Sequence, residues 1–280
     1  MFDRIRTGWS LTMQSMEVLK ADKELLLFPL MSGISLVLVT ASFLVPVFTN
    51  EALMQSLESD VTAQEPVFYA VLFLFYFVNY FIIMFFNAAL IGCAIIRFDG
   101  RNPTLADGFR TSMQCLPQIF GWALVSATVG VILRIIESRS ETVGKIIAAL
   151  IGTAWNITTY FVLPVLVVEK VGPVEAFKRS AGIIKRTWGE ALTANIGIGI
   201  IVFILMCLAC LPVVFGIMAG TETALLIGIT LTVAGIILVS LISSVLGTII
   251  TAALYEYAGY DRVPEQFDKH LLEQAFTHKE

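Results

Sequence analysis
Charge is scarce in this chain. Asp, Glu, Lys and Arg make up 14 % of its 280 residues and hydrophobic residues 57 %, where soluble domains run to roughly 25 % and 45–50 %. That balance excludes an ordinary soluble domain and is the reverse of a disordered one. Histidine is scarcer still. Both copies, His270 and His278, fall in the last eleven residues, so no zinc or haem site inside the apolar runs can draw on imidazole. Of the four cysteines, no pair lies in a loop outside the apolar stretches, and no disulfide framework is implied. Only Cys207 and Cys210 have metal-ligand spacing. With no further ligand beside them in an all-apolar run, they read as small packing residues. No cofactor and no metal is expected. A formal net charge of −4 argues against nucleic acid as a partner.

What the chain has instead is long apolar runs. A bilayer core needs about 20 apolar residues in a helix, and six stretches qualify: 25–48, 67–96, 117–136, 143–168, 191–218 and 223–254. The expected fold is an all-α polytopic bundle of six spans. Residues 1–24 form an amphipathic leader, 25–256 the membrane domain and 257–280 a tail. The first apolar run starts near Leu25 and has the length of a span rather than of a signal segment. Lys and Arg set the orientation. The first 24 residues, the loops after spans two and four, and the tail together hold 15 of the 18 basic residues. The other side has Arg134, Arg139 and Lys145, and its first loop carries Glu51, Glu58, Asp60 and Glu65 with no base. Both termini are therefore expected in the cytoplasm, with the chain in the cytoplasmic (inner) membrane.

The two basic loops resemble each other at an offset of 68 residues. Phe109 matches Phe177, Arg110 matches Lys178, Ser112 matches Ser180 and Phe120 matches Trp188. In each copy apolar residues recur at i, i+4, i+7 and i+11: Phe109, Met113, Leu116 and Phe120, then Phe177, Ala181, Ile184 and Trp188. That is one helical face, and Arg110, Lys178, Arg179, Lys185 and Arg186 fall off it. The pattern predicts interfacial helices, the apolar stripe at the lipid boundary and the bases on anionic headgroups. The leader, with Phe2, Ile5, Trp9, Met13 and Met16 on one side, is a weaker third copy whose stripe is broken by Thr12.

Two runs carry a resemblance. One is Leu19-Lys20-Ala21-Asp22-Lys23-Glu24-Leu25 through Phe28-Pro29-Leu30. The other runs from Val168-Glu169-Lys170 through Glu175-Ala176-Phe177-Lys178-Arg179-Ser180 to Trp188-Gly189-Glu190. With them the chain resembles an uncharacterised family of prokaryotic six-span membrane proteins over nearly its whole length. The Glu-Ala-Phe-base-base-Ser run is also similar to the membrane domain of glycerophosphoryl diester phosphodiesterases. The first likeness implies fold and localisation and no assigned activity. The second implies no catalytic role, because this chain has no room for the soluble barrel.

Ionisable residues deep in a span would be the default functional sites, and they are nearly absent. Arg134 and Glu137 can pair at the outer end of span three. Asp99, Glu169 and Glu256 mark inner ends. Neutral polar residues are better placed: Asn79 and Asn87 share a face of span two, Asn156 and Tyr160 a face of span four, Asn195 lies in span five, and Ser240, Ser244 and Thr248 form a stripe on span six. They either line a cavity or hydrogen-bond between helices. On span four, Gly144, Ala148, Gly152, Asn156, Tyr160 and Pro164 recur every four residues, so this stripe should face the interior, near Ala191, Asn195 and Gly199 of span five, with Ile147, Ile151 and Ala154 outward. No catalytic residue is assigned. A headgroup enzyme would have to use Asp99, Asp107, Glu169 or Glu175 beside neighbouring bases. The expected function is a non-enzymatic membrane-organising, lipid-interacting or accessory protein. The alternative is a transporter or lipid translocator with a neutral polar cavity. Membrane lipids are the expected partners, with a protein partner or a second copy also open.

A reporter fused after Glu280 should read cytoplasmic, and a tag placed between Glu51 and Glu65 external. Inverted readings from the pair would overturn the charge assignment.

Overall fold
In lipid every backbone N–H and C=O must find its partner inside the protein, so apolar runs of this length fold as helices. The structure, a computed structural model, describes residues 2–49, 66–138, 143–186, 199 and 202–276, and among these there is no strand. The helices are α1 (Phe2–Ala21), α2 (Leu27–Thr49), α3 (Pro66–Phe98), α4 (Leu105–Gln114), α5 (Leu116–Ser138), α6 (Val143–Thr158), α7 (Val162–Val168), α8 (Pro173–Arg186), α9 (Leu211–Met218), α10 (Glu222–Tyr260) and α11 (Lys269–Phe276). Five segments are long and apolar enough to cross a bilayer: Lys23–Pro46, Phe68–Phe98, Leu116–Ser138, Val143–Val168 and Glu222–Tyr260. The chain is an all-α, multi-pass membrane protein. Of the expected fifth span, only the apolar helical segment Val202–Met218 lies within the described residues, apart from Gly199. At 33 and 39 residues, α3 and α10 run about 50 and 58 Å, well beyond a hydrocarbon core of about 30 Å.

The described chain divides into two compact units, one of residues 30–92 and 106–184, the other of 1–29, 93–105 and 185–280. In the first unit the fourth span is broken. Pro164 has no N–H to offer the carbonyl of Tyr160, and its ring crowds that carbonyl. The helix accordingly stops at Thr158 and restarts at Val162. Ser180 of α8 spans the gap. Its hydroxyl donates to the Thr158 carbonyl at 2.7 Å and accepts from the Phe161 N–H at 3.1 Å. At the matching position of the repeat, Ser112 of α4 donates to the Phe85 carbonyl of α3 at 2.7 Å. Most span hydroxyls only bond back to their own helix, as Thr128, Thr153 and Thr230 do. The two repeat serines reach a neighbour.

These contacts correct the expected register of the surface helices. The buried residues are Gly108, Ser112, Cys115 and Ile119 in the first copy, and Ala176, Ser180, Ile183 and Ile184 in the second. The first stripe sits one residue before the apolar one read from the sequence. The second shifts likewise at Ala176, Ser180 and Ile183 but keeps Ile184 of the expected stripe. Met113 is 58 % and Phe120 48 % exposed. Phe109 instead lies against Phe85 and Phe86, and Phe177 stacks on Trp155. Small and hydroxylated residues take the seat because they let α4 and α8 approach closely enough for a hydroxyl to reach a span carbonyl, one inside α3 and one at the break of the fourth span. The leader also buries small and hydroxylated residues, Gly8, Thr12 and Ser15, together with Leu11 and Leu19, and leaves Trp9 and Met13 exposed. Thr12, which breaks the apolar stripe, belongs to the buried one and donates to the Gly8 carbonyl at 2.7 Å. Trp188 lies outside the described residues.

In the second unit a similar repair recurs. Pro212 interrupts the helix near Cys210, and the Val213 N–H is taken by the Thr232 hydroxyl of α10 at 3.1 Å. The α9–α10 hairpin closes on glycines. A methyl group at Gly216 would meet the Ala224 carbonyl at 2.7 Å, and one at Gly228 the Pro212 carbonyl at 2.6 Å, so only glycine permits this backbone approach. Asp261, in the left-handed region at φ 55°, ends α10.

Replacing Ser180 with Ala removes the partner from two buried backbone groups, at about 1–3 kcal/mol each. Ser112→Ala removes one. Thermal unfolding in detergent should place Ser180→Ala below Ser112→Ala, and equal stabilities would show that Ser180 does not hold the break.

Candidate functional site
A cavity of about 350 Å³ lies within the first unit, between α3, α5 and the α6–α7 span. Its wall comes from Tyr80 and Met84 on α3, from Trp122, Ser126, Val129, Gly130 and Leu133 on α5, and from Gly152, Trp155, Asn156, Thr159, Tyr160 and Leu163 on the fourth span. No residue of this wall is charged. The order along the helices matters. Down α5 the lining passes from Trp122 and Ser126 to Val129, Gly130 and Leu133. The fourth span runs the opposite way, from Gly152 through Asn156 to Thr159 and Tyr160. The polar groups therefore gather toward one end, with Leu163 among them, and the other end is apolar, over about 16 Å from Trp122 to Leu133. The polar end is built on the broken turn held by Ser180. Trp122 and Trp155 stack with centroids 5.5 Å apart and planes 5° apart, and Phe177 of α8 stacks on Trp155 at 5.7 Å. One surface helix thus holds the cavity wall at two points.

Of the polar residues singled out in the sequence, Asn156 and Tyr160 line this cavity together. Asn79 donates to the Phe75 carbonyl of its own helix at 2.7 Å, and neither it nor Asn87 is in the cavity wall. Ser240 and Ser244 are exposed, and Thr248 bonds back to the Ser244 carbonyl at 2.9 Å. Asn195 lies outside the described residues. Of the span-four stripe Gly144 and Pro164 are buried, Ala148, Gly152 and Tyr160 half-buried and Asn156 exposed, while Ile147, Ile151 and Ala154 are all exposed. The stripe's neighbour is α5, with Leu133 beside Gly152. Sequence reasoning missed Tyr80, Trp122, Trp155, Ser126 and Thr159. The available signal was Trp155 next to Asn156, and Tyr76 and Tyr80 one helical turn apart.

The charged residues sit at helix ends. Arg110 on α4 and Lys178, Lys185 and Arg186 on α8 are exposed, the last two at the helix C-terminus where the dipole favours cations. Arg179 differs, its guanidinium donating to Glu169 at 3.0 Å. Arg110 lies 3.6 Å from Asp107, and Arg134 pairs with Glu137 at 3.0 Å as the spacing predicts. In the second unit Arg97 grips the Asp22 carboxylate with two hydrogen bonds. Asp99 is held by Arg262 and by Arg101, and Glu256, buried, lies 3.7 Å from Arg262. Gln266 donates to the Arg97 carbonyl at 3.1 Å, and Phe98 meets Phe267 edge to face. The tail is thereby strapped to the end of α3. Among the described residues no group of three or more His, Cys, Asp or Glu could hold a metal ion.

Burial pushes the Asp99 carboxyl up, but hydrogen bonds from Arg262 and Arg101 outweigh it and hold it below its ordinary value. A carboxyl lowered in this way stabilises the fold above its unfolded pKa of about 3.9, and the contribution is lost as pH falls through the folded value. Asp99→Asn should therefore cost up to about 1 kcal/mol at neutral pH. Unfolding curves of the two proteins should converge below about pH 4. A gap that persists in acid would mean that shape, and not charge, holds the strap.

A family model described as a family of unknown function, DUF6159, matches residues 66–264. No curated protein matches the chain, and the likeness to the membrane domain of glycerophosphoryl diester phosphodiesterases finds no support in these comparisons. The chain belongs to the DUF6159 family.

Proposed function
We propose that this member of a family of unknown function is a non-enzymatic protein of the cytoplasmic membrane that organises lipid, holding anionic headgroups against α4 and α8 with both termini on the cytoplasmic side. The observation that carries this reading is the two-sided build of these helices. Ser112 and Ser180 pin one face to the spans, while Arg110, Lys178, Lys185 and Arg186 stand exposed elsewhere on the helix. Exposed apolar side chains accompany them, Met113 and Val174 among them. A base near an anionic surface is worth about 1 kcal/mol, so four bases held in place bias the lipids around the protein. Of the four carboxylates that an enzyme could use, Asp99 is held by two arginines, Glu169 by Arg179 and Asp107 by Arg110, and Glu175 is exposed. One observation favours a second reading, a transporter or lipid translocator. It is the neutral, partly polar cavity itself.

With Arg110, Lys178, Lys185 and Arg186 all changed to Gln, the full chain in mixed nanodiscs should lose its enrichment of phosphatidylglycerol over phosphatidylcholine, and salt should weaken that enrichment in the native protein. Lipid analysis of the purified discs measures both. Equal enrichment in variant and native protein would remove these bases from lipid recognition.

A further inference from the structure
The surface helices leave unexplained the space inside the first unit. A well-packed bundle has no reason to keep about 350 Å³ open between three spans, and that volume falls within the range of ligand cavities, at its lower end. Its chemistry narrows what it can hold. A charged head would be drawn out of water into a wall without a counter-charge, which is strongly unfavourable. A purely apolar occupant would leave the Asn156 amide, with its two donors and one acceptor, and the Ser126 hydroxyl facing hydrocarbon, while the Thr159 hydroxyl, which donates to the Trp155 carbonyl at 2.7 Å, still has lone pairs to offer. The wall is satisfied by a molecule that is uncharged and has a hydrogen-bonding head at one end and a chain at the other. The volume suits one chain and not two. The lateral route in from the bilayer is also visible, because Asn156, at the edge of the cavity, is exposed.

We propose that this cavity binds an uncharged, single-chain amphiphile of the monoacylglycerol kind, with its hydroxylated head between Asn156, Thr159 and Tyr160 and its chain along Val129, Gly130, Leu133 and Gly152. The head end is preformed. Thr159 and Tyr160 belong to the broken turn, and Ser180 fixes the backbone on either side of it, so little ordering is left for the ligand to bring about. The chain end is open in the same sense. A methyl group built on Gly152 would find only the Leu133 Cδ1 at 3.8 Å. A larger side chain there enters the cavity and does not force helices apart. This inference stands independently of the headgroup reading, since it uses neither α4 nor the exposed bases.

The test uses the two cavity tryptophans. Replacing Trp9 and Trp188 with Phe leaves Trp122 and Trp155 as the remaining tryptophans among the four. The full chain is placed in phosphatidylcholine nanodiscs and titrated with monoacylglycerol carrying a brominated chain, which quenches by contact. Quenching should saturate and should be reversed by excess unbrominated monoacylglycerol. Neither glycerol nor brominated lysophosphatidylglycerol should match it. Gly152→Leu should weaken half-saturation about tenfold or more while unfolding in detergent close to Ile151→Leu. Val129→Phe, which fills the same end from α5, should do the same and serves if Gly152→Leu does not fold. Quenching that only grows linearly, as bulk lipid gives, would overturn the proposal. Reversal by glycerol alone would overturn the chain assignment, and equal action of the charged lysolipid the uncharged head. Undiminished saturation in both filled variants would place the amphiphile elsewhere.

Discussion
Inside a bilayer a backbone group without a partner costs several kcal/mol, and this protein breaks its own helices where that penalty applies. Pro164 and Pro212 each interrupt a membrane helix. Both breaks persist because a hydroxyl from another helix reaches the exposed backbone. Ser180 serves two groups at the first break, and Thr232 serves one at the second. The rest of the first unit follows from the Ser180 contact. It decides which face of α8 is turned inward, and so where Phe177 lands on Trp155 and which bases are left outside. It also sets the turn that carries Thr159 and Tyr160 into the cavity.

The repeat takes on a physical meaning in this light. Residues that match at an offset of 68 include the two serines, and both donate to a carbonyl of a preceding span. The repeated unit is a surface helix fastened by a hydroxyl, with a small residue, Gly108 or Ala176, one turn before it to let the backbones approach. In α1 the corresponding Thr12 bonds within its own helix, and the leader is held in its unit by other means. Asp22 receives the Arg97 guanidinium, Asp268 donates its N–H to Gln14, and Leu272 of α11 is fully buried.

Charge serves a different purpose from the hydroxyls. Carboxylates and guanidiniums meet at helix ends, where water or headgroups limit the desolvation cost, and there they join segments distant in sequence. Arg262 bonds Asp99 across 163 residues. The wall of the cavity, by contrast, is wholly neutral. A site of that kind selects by shape and hydrogen bonding, and it fits a molecule that itself lives in the membrane.

The sequence by itself determined the class, five of the six expected spans and the Arg134–Glu137 pair, because hydrophobic length and local spacing are properties of a single helix. It also put Asn156 and Tyr160, which lie one turn apart, on one face of span four, the face that lines the cavity, although Asn156 is exposed there. It misjudged the seating of the surface helices. Periodicity ranks residues by hydrophobicity, and what decides the seat is what the neighbouring spans offer, a carbonyl of α3 to Ser112 and the broken turn to Ser180, a fact about other parts of the chain. Asn79 and Ser240 were as polar and as well spaced as Asn156. Only tertiary packing turned the former back on its own helix, left the latter exposed and brought Tyr80, Trp122 and Trp155 around a common space. A cavity exists where helices fail to meet, and no single helix records that.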